Sequence, residues 1–432
     1  MSHMPIPRLQ RHTLPNGLRV VIQPLTSGPT VGVSVHYGVG FRSESPSRSG
    51  FAHLFEHLMF QGSARIRRGD HFRLVQSAGG TVDGSTHQDY TVFHQVIPSN
   101  ALERVLFMEA DRMREPIFTV ESLRTQVDVV KEEIRLNLMN KPYGGFPWTV
   151  LPSALFSEFR NAHNGYGDFA ALEKVTVADC EAFFESYYAP GNAVLTVAGD
   201  IQPCQVMELV WRHFADIPSR PVPTVSDSDE PAPRDMRTGV HHDRHAPLPA
   251  TAIGYRLPDP RTALHSYLAH MVLCSLLATG ESSRLRQKLI GRTGVATDVS
   301  MGCGLFGALD ARHPDLLLGV VVHSPGTSAD AVISALDEEV HSLAAEGPTP
   351  REVNRAMAMS AAARHRKFDS LAFRTPALGT LELLFDNAEL LDQLPGALSS
   401  VDAVDVAIAA RGLSPDARAV VQLVPGTVGA DE

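Results

Sequence analysis

The sequence predicts an α+β fold built as two similar domains. Three observations point there. Strand-like apolar runs open and close each half of the chain, runs of helical period lie between them, and one Pro-, Ser- and Asp-rich stretch divides the halves. A chain of 432 residues can bury two such cores.

In chain order, "GLRVVIQPL" (17–25) and "VGVSVHYGVG" (31–40) read as strands. The run 120–139 reads as a helix, because apolar residues recur at Val120, Leu123, Val127, Val130, Ile134 and Leu138, close to a 3.6 period. "NAVLTVAGD" (192–200) closes the first half as a strand. Next comes "IPSRPVPTVSDSDEPAPRD" (217–235), which lacks apolar periodicity and reads as a linker. "TAIGYRL" (251–257) opens the second half and "RAVVQLVP" (418–425) closes it, both as strands. The expected division is a first domain over 1–216, a linker over 217–246 and a second domain over 247–432. Halves of similar length suggest an old duplication, although they share little visible identity.

Composition excludes several classes. A formal charge of −10 with no offsetting basic stretch argues against nucleic-acid binding. Cys180, Cys204, Cys274 and Cys303 show no CxxC spacing, so reduced thiols are expected rather than a disulfide framework or cysteine zinc site. No apolar run of about 18 residues and no signal-peptide pattern occur, so neither a membrane span nor classical secretion is expected. The opening "MSHM" looks like an added tag, with the native start expected a few residues in.

Residues 50–63, "GFAHLFEHLMFQGS", pose the chemical question. On a helix, His53 and His57 share one face at i and i+4, with Glu56 beside them, and the other side chains are apolar or small. A helix that apolar is buried, so its polar face must be satisfied inside the protein. A lone histidine there would be read as a core residue bonded to a backbone carbonyl. Three polar groups on one face point instead to a divalent metal, and imidazole pairs at this separation suit zinc. A catalytic zinc takes a third protein ligand, a histidine or carboxylate from elsewhere. Glu133 sits at the edge of the 120–139 apolar stripe, where it could point inward, while Glu132 is turned about 100° away. Spacing alone leaves Glu133 open between ligand and surface charge.

These blocks resemble the pitrilysin, insulin-degrading enzyme and mitochondrial processing peptidase family of inverted-zincin metallopeptidases, above all its short bacterial members. "LPNGLRVVI", "SGFAHLFEHLMFQGS", "AGGTVDGSTHQDYTVF" and "VVKEEIRLNLMNKPYG" match family blocks in order, and "SSRLRQKLIGRTGVATDV" matches one in the second half. The resemblance implies two domains, each a mostly antiparallel sheet covered by helices, of which the first binds zinc and the second lacks the motif. It assigns one Zn2+ per chain to His53, His57 and Glu133, and the general base to Glu56. It also implies a peptide substrate that adds a strand to a sheet edge at Asp83, Gly84, Ser85 and Thr86, where the family commonly reads Asn-Ala-x-Thr.

The second half departs from the family. Alignment puts Ile290 where active members carry a substrate-gripping arginine, and Thr297 where they carry a tyrosine; Arg284 belongs to a neighbouring, structural element. The resemblance therefore implies a heterodimer whose companion chain supplies arginine and tyrosine, closing a peptide-sized chamber, with a homodimer as the alternative. A non-catalytic scaffold or peptide-binding subunit is the rival expectation. A bacterial, cytoplasmic protein is expected. "GCGLFG" (302–307) lacks a following helical pattern, so no dinucleotide site is expected; "HHDRH" (241–245) reads as a solvent-facing stretch, and His87 and His94 as residues that do not share a ligand.

Overall fold

In the computed structural model, which describes residues 9–26, 28–223, 230–231 and 233–426, the strands form two sheets. The first contains β1 (Gln10–Thr13), β2 (Arg19–Pro24), β3 (Thr30–Tyr37), β4 (Thr81–Thr86), β5 (Thr91–Pro98) and β6 (Ala193–Gly199). Their spatial order is β1-β2-β6-β3-β5-β4, antiparallel except for β2 beside β6. The second contains β7 (Arg237–Asp243), β8 (Ala250–Arg256), β9 (Ala296–Cys303), β10 (Leu316–His323) and β11 (Arg418–Pro425). Its order is β7-β11-β8-β10-β9, with only β7 and β11 parallel. Leaving β1 aside, the two sheets share one topology, in which the first strand pairs with the last, followed by the second, fourth and third. In both, the third strand is an edge: β4 and β9.

Position in the sheet explains strand composition. Interior β3 and β6 are buried along almost their whole length and read as apolar runs. Edge strand β4, "TVDGST", is partly exposed throughout and carries polar residues, as an edge that must not aggregate does.

The sheets also explain why the chain does not divide where composition suggests. One compact unit comprises residues 1–130, 165–226 and 365–392; the other comprises 131–164, 227–364 and 393–432. Each apolar sheet needs both faces covered, and each takes one cover from the other half of the sequence. Helix Leu371–Phe385 lies over β3 and β6, so close that a Cβ on Gly32 would fall 2.1 Å from Thr375 Oγ1. Helix Leu151–Leu155 lies over β8 and β11, with Leu151 against Gly254. Within the expected linker 217–246, residues 237–243 are strand β7; residues 224–229 and 232 lie outside the described residues, as does the opening "MSHM".

Helices α1 (Phe51–Leu58) and α2 (Asp70–Ser77) follow β3, and α3 (Leu102–Arg114) and α4 (Val120–Ile134) follow β5. The expected helix over 120–139 is regular to Ile134 and ends in a π turn, Arg135–Met139. Its stripe residues Leu123, Val127, Val130 and Ile134 are buried, whereas Val120, at the first turn, is exposed. Among the described residues no helix is long and apolar enough to cross a membrane. All four cysteines are free; Cys274 and Cys303, both buried, bring their sulfurs to 3.9 Å.

Candidate metal centre

Helix α1 begins at a constrained point. Gly50 has φ of 86°, and a Cβ there would lie 2.5 Å from the Tyr166 carbonyl oxygen, so only glycine fits. The buried Glu44 carboxylate then accepts hydrogen bonds from the Gly50 and Ala52 amides, each at 2.8 Å, satisfying donors that a helix start leaves orphaned. From that start, Phe51, Leu54, Phe55 and Leu58 go into the core. The Phe55 ring packs on Phe183, Tyr188 and Phe118 at centroid distances of 4.9, 4.7 and 5.3 Å. Anchoring these apolar side chains turns the remaining face, with half-buried His53 and His57, toward a common point.

His53 Nε2 and His57 Nε2 lie 3.2 Å apart. That is close to the ~3.3 Å expected of two donors on one tetrahedral zinc with bonds of about 2.0–2.1 Å. Glu133 reaches the same point: the donor atoms of His53, His57 and Glu133 all lie within 4.8 Å of one another. No other group of this kind occurs among the described residues. Glu133 occupies the last turn of α4, an uninterrupted helix whose earlier turns bury Leu123 and Val127. Its neighbour Glu132 is exposed and pairs with Arg135 at 3.2 Å, as its 100° offset requires. Two imidazole nitrogens and a carboxylate oxygen are a donor set that fits zinc. Tyr166 meets His53 edge-on, with centroids 5.7 Å apart.

Glu56 is buried on the same helix and faces β4. Thr86 Oγ1 donates to Glu56 Oε2 at 2.7 Å. A Cβ on Gly84 would lie 2.8 Å from Glu56 Oε1 and 3.0 Å from the Phe60 ring. Asp83 and Ser85 alternate to the other face of the strand. There Asp83 Oδ1 accepts from the Gly84 amide at 2.9 Å, and Ser85 Oγ lies 3.1 Å from His87 Nε2. On the Glu56 side of the neighbouring β5, the Arg112 guanidinium stacks over Phe93 and Phe60 at 4.0 and 5.0 Å and donates to Glu109 at 2.6 Å. Burial alone would push the Glu109 carboxyl up, but the Arg112 charge, with His71 Nε2 3.3 Å away, outweighs it and holds it at about 2.

The second-half positions are plain. Ile290 lies in a π turn, Gln287–Arg292, and Thr297 is exposed on β9. Arg284 is engaged by Glu352, with Nε 2.8 Å from Oε1 and Nη2 3.2 Å from Oε2. In "HHDRH", Asp243 accepts from the Tyr143, His245 and Ala246 amides, so this stretch is pinned structurally. His87 stacks on Tyr90 at 4.4 Å, and no helix follows "GCGLFG" before β10. Three contributors escaped the sequence reading: Glu44, Tyr166 and the Thr86 bond to Glu56. Only Thr86 lay in a block that drew notice, and it did so as a strand residue rather than a partner of Glu56.

Residues 19–142, which contain His53, Glu56, His57 and Glu133, match the family described as insulinase (peptidase family M16). Residues 174–360 match the one described as peptidase M16 inactive domain. Zinc protease PqqE of Helicobacter pylori is 29% identical over 297 residues, 68% of this chain and 66% of PqqE, about two thirds of that relative's length. The crystal structure of a protease from Helicobacter pylori superposes with a TM-score of 0.87 at 24% identity, covering 97% of this chain and all of that one. A peptidase M16 inactive domain from Pseudomonas fluorescens superposes with a TM-score of 0.84 at 17% identity over 97% of this chain and 98% of its own. These likenesses establish the two-sheet fold, and the two matches, falling in order along most of the sequence, make the chain a member of the peptidase M16 (insulinase) family.

Proposed function

We propose that the chain is the catalytic subunit of a zinc-dependent endopeptidase that hydrolyses peptides or unfolded segments. The convergence of His53, His57 and Glu133, with Glu56 on the same helix as the two histidines, carries this reading. "Zinc protease" is the name PqqE carries, and the donor set here suits the same metal. His53, His57 and Glu133 would hold one zinc, which supplies Lewis acidity toward a peptide carbonyl and lowers the pKa of water to about 7. Glu56 accepts the proton of the attacking water on its carboxylate and returns it to the departing amine nitrogen. It can do both because it is not one of the three converging ligands. The free edge of β4 offers backbone hydrogen bonds to an extended peptide along Asp83, Gly84, Ser85 and Thr86, so the scissile bond is laid beside α1.

Ile290 and Thr297 provide neither a guanidinium nor a phenol, so a companion chain bringing arginine and tyrosine is the expected partner, with a homodimer as the alternative. The same two residues, together with the match of 174–360 to an inactive domain, favour a second reading, a non-catalytic peptide-binding subunit. Native mass spectrometry combined with a peptide-cleavage assay of the wild type and Glu56→Gln separates the two. The enzyme reading expects one zinc per chain in both proteins and, once the companion chain is supplied, turnover lost only in the variant. A wild type that stays metal-free in added zinc, or a fully active Glu56→Gln, overturns it.

A further inference from the structure

The Glu56 carboxylate rests on the strand that the proposed function gives to the peptide. Its Oε2 takes the Thr86 hydroxyl at 2.7 Å. Its Oε1 lies over Gly84, 2.8 Å from where a Cβ at that position would stand. The neighbouring strand holds the seat in place. Thr86 pairs across to Thr91 and Gly84 to Phe93 on β5, and Phe93 backs onto the fully buried Arg112–Glu109 pair. Thr91 is itself fixed, its hydroxyl donating to the Val39 carbonyl at 2.9 Å. A glutamate has three side-chain torsions to fix, and packing at the α1 end constrains only those nearest the backbone. A hydroxyl on a strand held by its pairing with β5 fixes the last of them.

We propose that Thr86 is a positioning residue for Glu56: its hydroxyl holds Oε2 and so orients the carboxylate that moves the proton. This rests on the peptidase reading of the site and adds a role for Thr86 beyond its place in the peptide-binding edge. A backbone-only role for β4 would make any side chain at position 86 acceptable. The geometry gives the hydroxyl a separate task. Peptide docking and base alignment are then coupled, because one strand does both.

The test is a double-mutant cycle read by calorimetric binding of a peptide hydroxamate, which chelates zinc and hydrogen-bonds a neighbouring carboxylate, with zinc content measured in every protein. The proteins are the wild type, Thr86→Val, Thr86→Ser, Glu56→Gln and the Thr86→Val/Glu56→Gln pair. Thr86→Val is expected to keep zinc and weaken hydroxamate binding about tenfold, the scale of one hydrogen bond to a charged group. Thr86→Ser restores binding, and Thr86→Val has no further effect once Glu56 is Gln. An equal loss in both backgrounds, or a Thr86→Ser as weak as Thr86→Val, overturns the positioning role while leaving the peptidase reading intact. If Thr86→Val does not fold, Thr86→Ala, which also removes the hydroxyl, takes its place in the cycle and in the comparison with Thr86→Ser. A wild type that binds zinc but no hydroxamate overturns the role as well, and one that binds neither overturns the peptidase reading with it.

Discussion

The Glu44 carboxylate bridges the backbone amides of Gly50 and Ala52 at 2.8 Å each, although it lies outside every motif and six residues before the cap residue Gly50. It caps the helix that carries His53, Glu56 and His57, using one buried charge where most helices use a small polar side chain at the cap itself. Glu44→Ala leaves two buried donors without a protein acceptor, so unfolding stability should fall by about 2 kcal/mol in urea titrations. Because the cap also sets the entry angle of α1, zinc affinity should fall with it. Unchanged stability and unchanged affinity would show that the cap is dispensable.

Glu133 and Glu132 are adjacent in sequence but not in environment, which gives an internal control for the metal site. Glu132 faces solvent beside Arg135, whereas Glu133 converges with the two histidines. Glu132→Gln should leave zinc affinity within a factor of two or so, as exposed pairs contribute little. Glu133→Gln should weaken it by more than the roughly 10–100-fold that loss of an outer-shell partner costs. Competition with a chromogenic chelator reads both. Equal effects would remove Glu133 from the ligand set.

The legible part of this protein was whatever rests on local periodicity. Strands β2, β3, β6, β8 and β11 and helix α4 stand where their apolar patterns put them, because a buried face needs apolar residues at the period of its element. The His53–His57 face was equally legible, since three polar groups in an apolar helix demand a reason. What the sequence could not show is settled by distant packing. Strand β4, being an edge, has no apolar alternation and is expected only through the family resemblance, while β7 lies inside what composition marks as linker. The covering of β3 by Leu371–Phe385 joins positions more than three hundred residues apart, and no local pattern carries that. Glu44 belongs to the same class, a single carboxylate whose partners are amides that carry no sequence signature.

Acid should destabilise the first unit through one buried cluster. Glu109 is fully buried with Arg112, which holds its carboxyl at about 2 against the opposing effect of burial, compared with 4.5 in an unfolded chain. His71, 3.3 Å from Glu109, is shifted down from 6.5 by burial first and by the Arg112 charge second. Both folded groups bind protons less readily than their unfolded counterparts, so stability is full above the unfolded values and drains as pH falls. The His71 contribution goes below 6.5, and the Glu109 contribution between 4.5 and about 2. Glu109→Gln should flatten the lower part of that curve and cost roughly 3–5 kcal/mol at neutral pH, because Arg112 stays buried without its carboxylate. An unchanged acid slope in the variant would assign the sensitivity to other groups.

Arg284 tests whether this chain can grip substrate with a cation of its own. Its guanidinium meets Glu352 through two hydrogen bonds and Ser342 through a third at 3.2 Å, and Glu352 in turn accepts from the Thr349 amide at 2.8 Å. The hydrogen bond from Arg284 holds the Glu352 carboxyl at about 2, against the opposing effect of burial. A fork so engaged braces the start of the helix Pro350–Phe368 and leaves little of its charge for a ligand. Arg284→Ala should therefore cost about 1–2 kcal/mol of stability, discounted for partial exposure, with KM and kcat unchanged for protein that remains folded. Arg284→Lys should recover only part of the loss, since an ammonium cannot reproduce the two-point contact. A tenfold drop in kcat at unchanged stability would instead make Arg284 the substrate contact that Ile290 cannot be, and would remove the reason to expect a companion chain to supply the arginine.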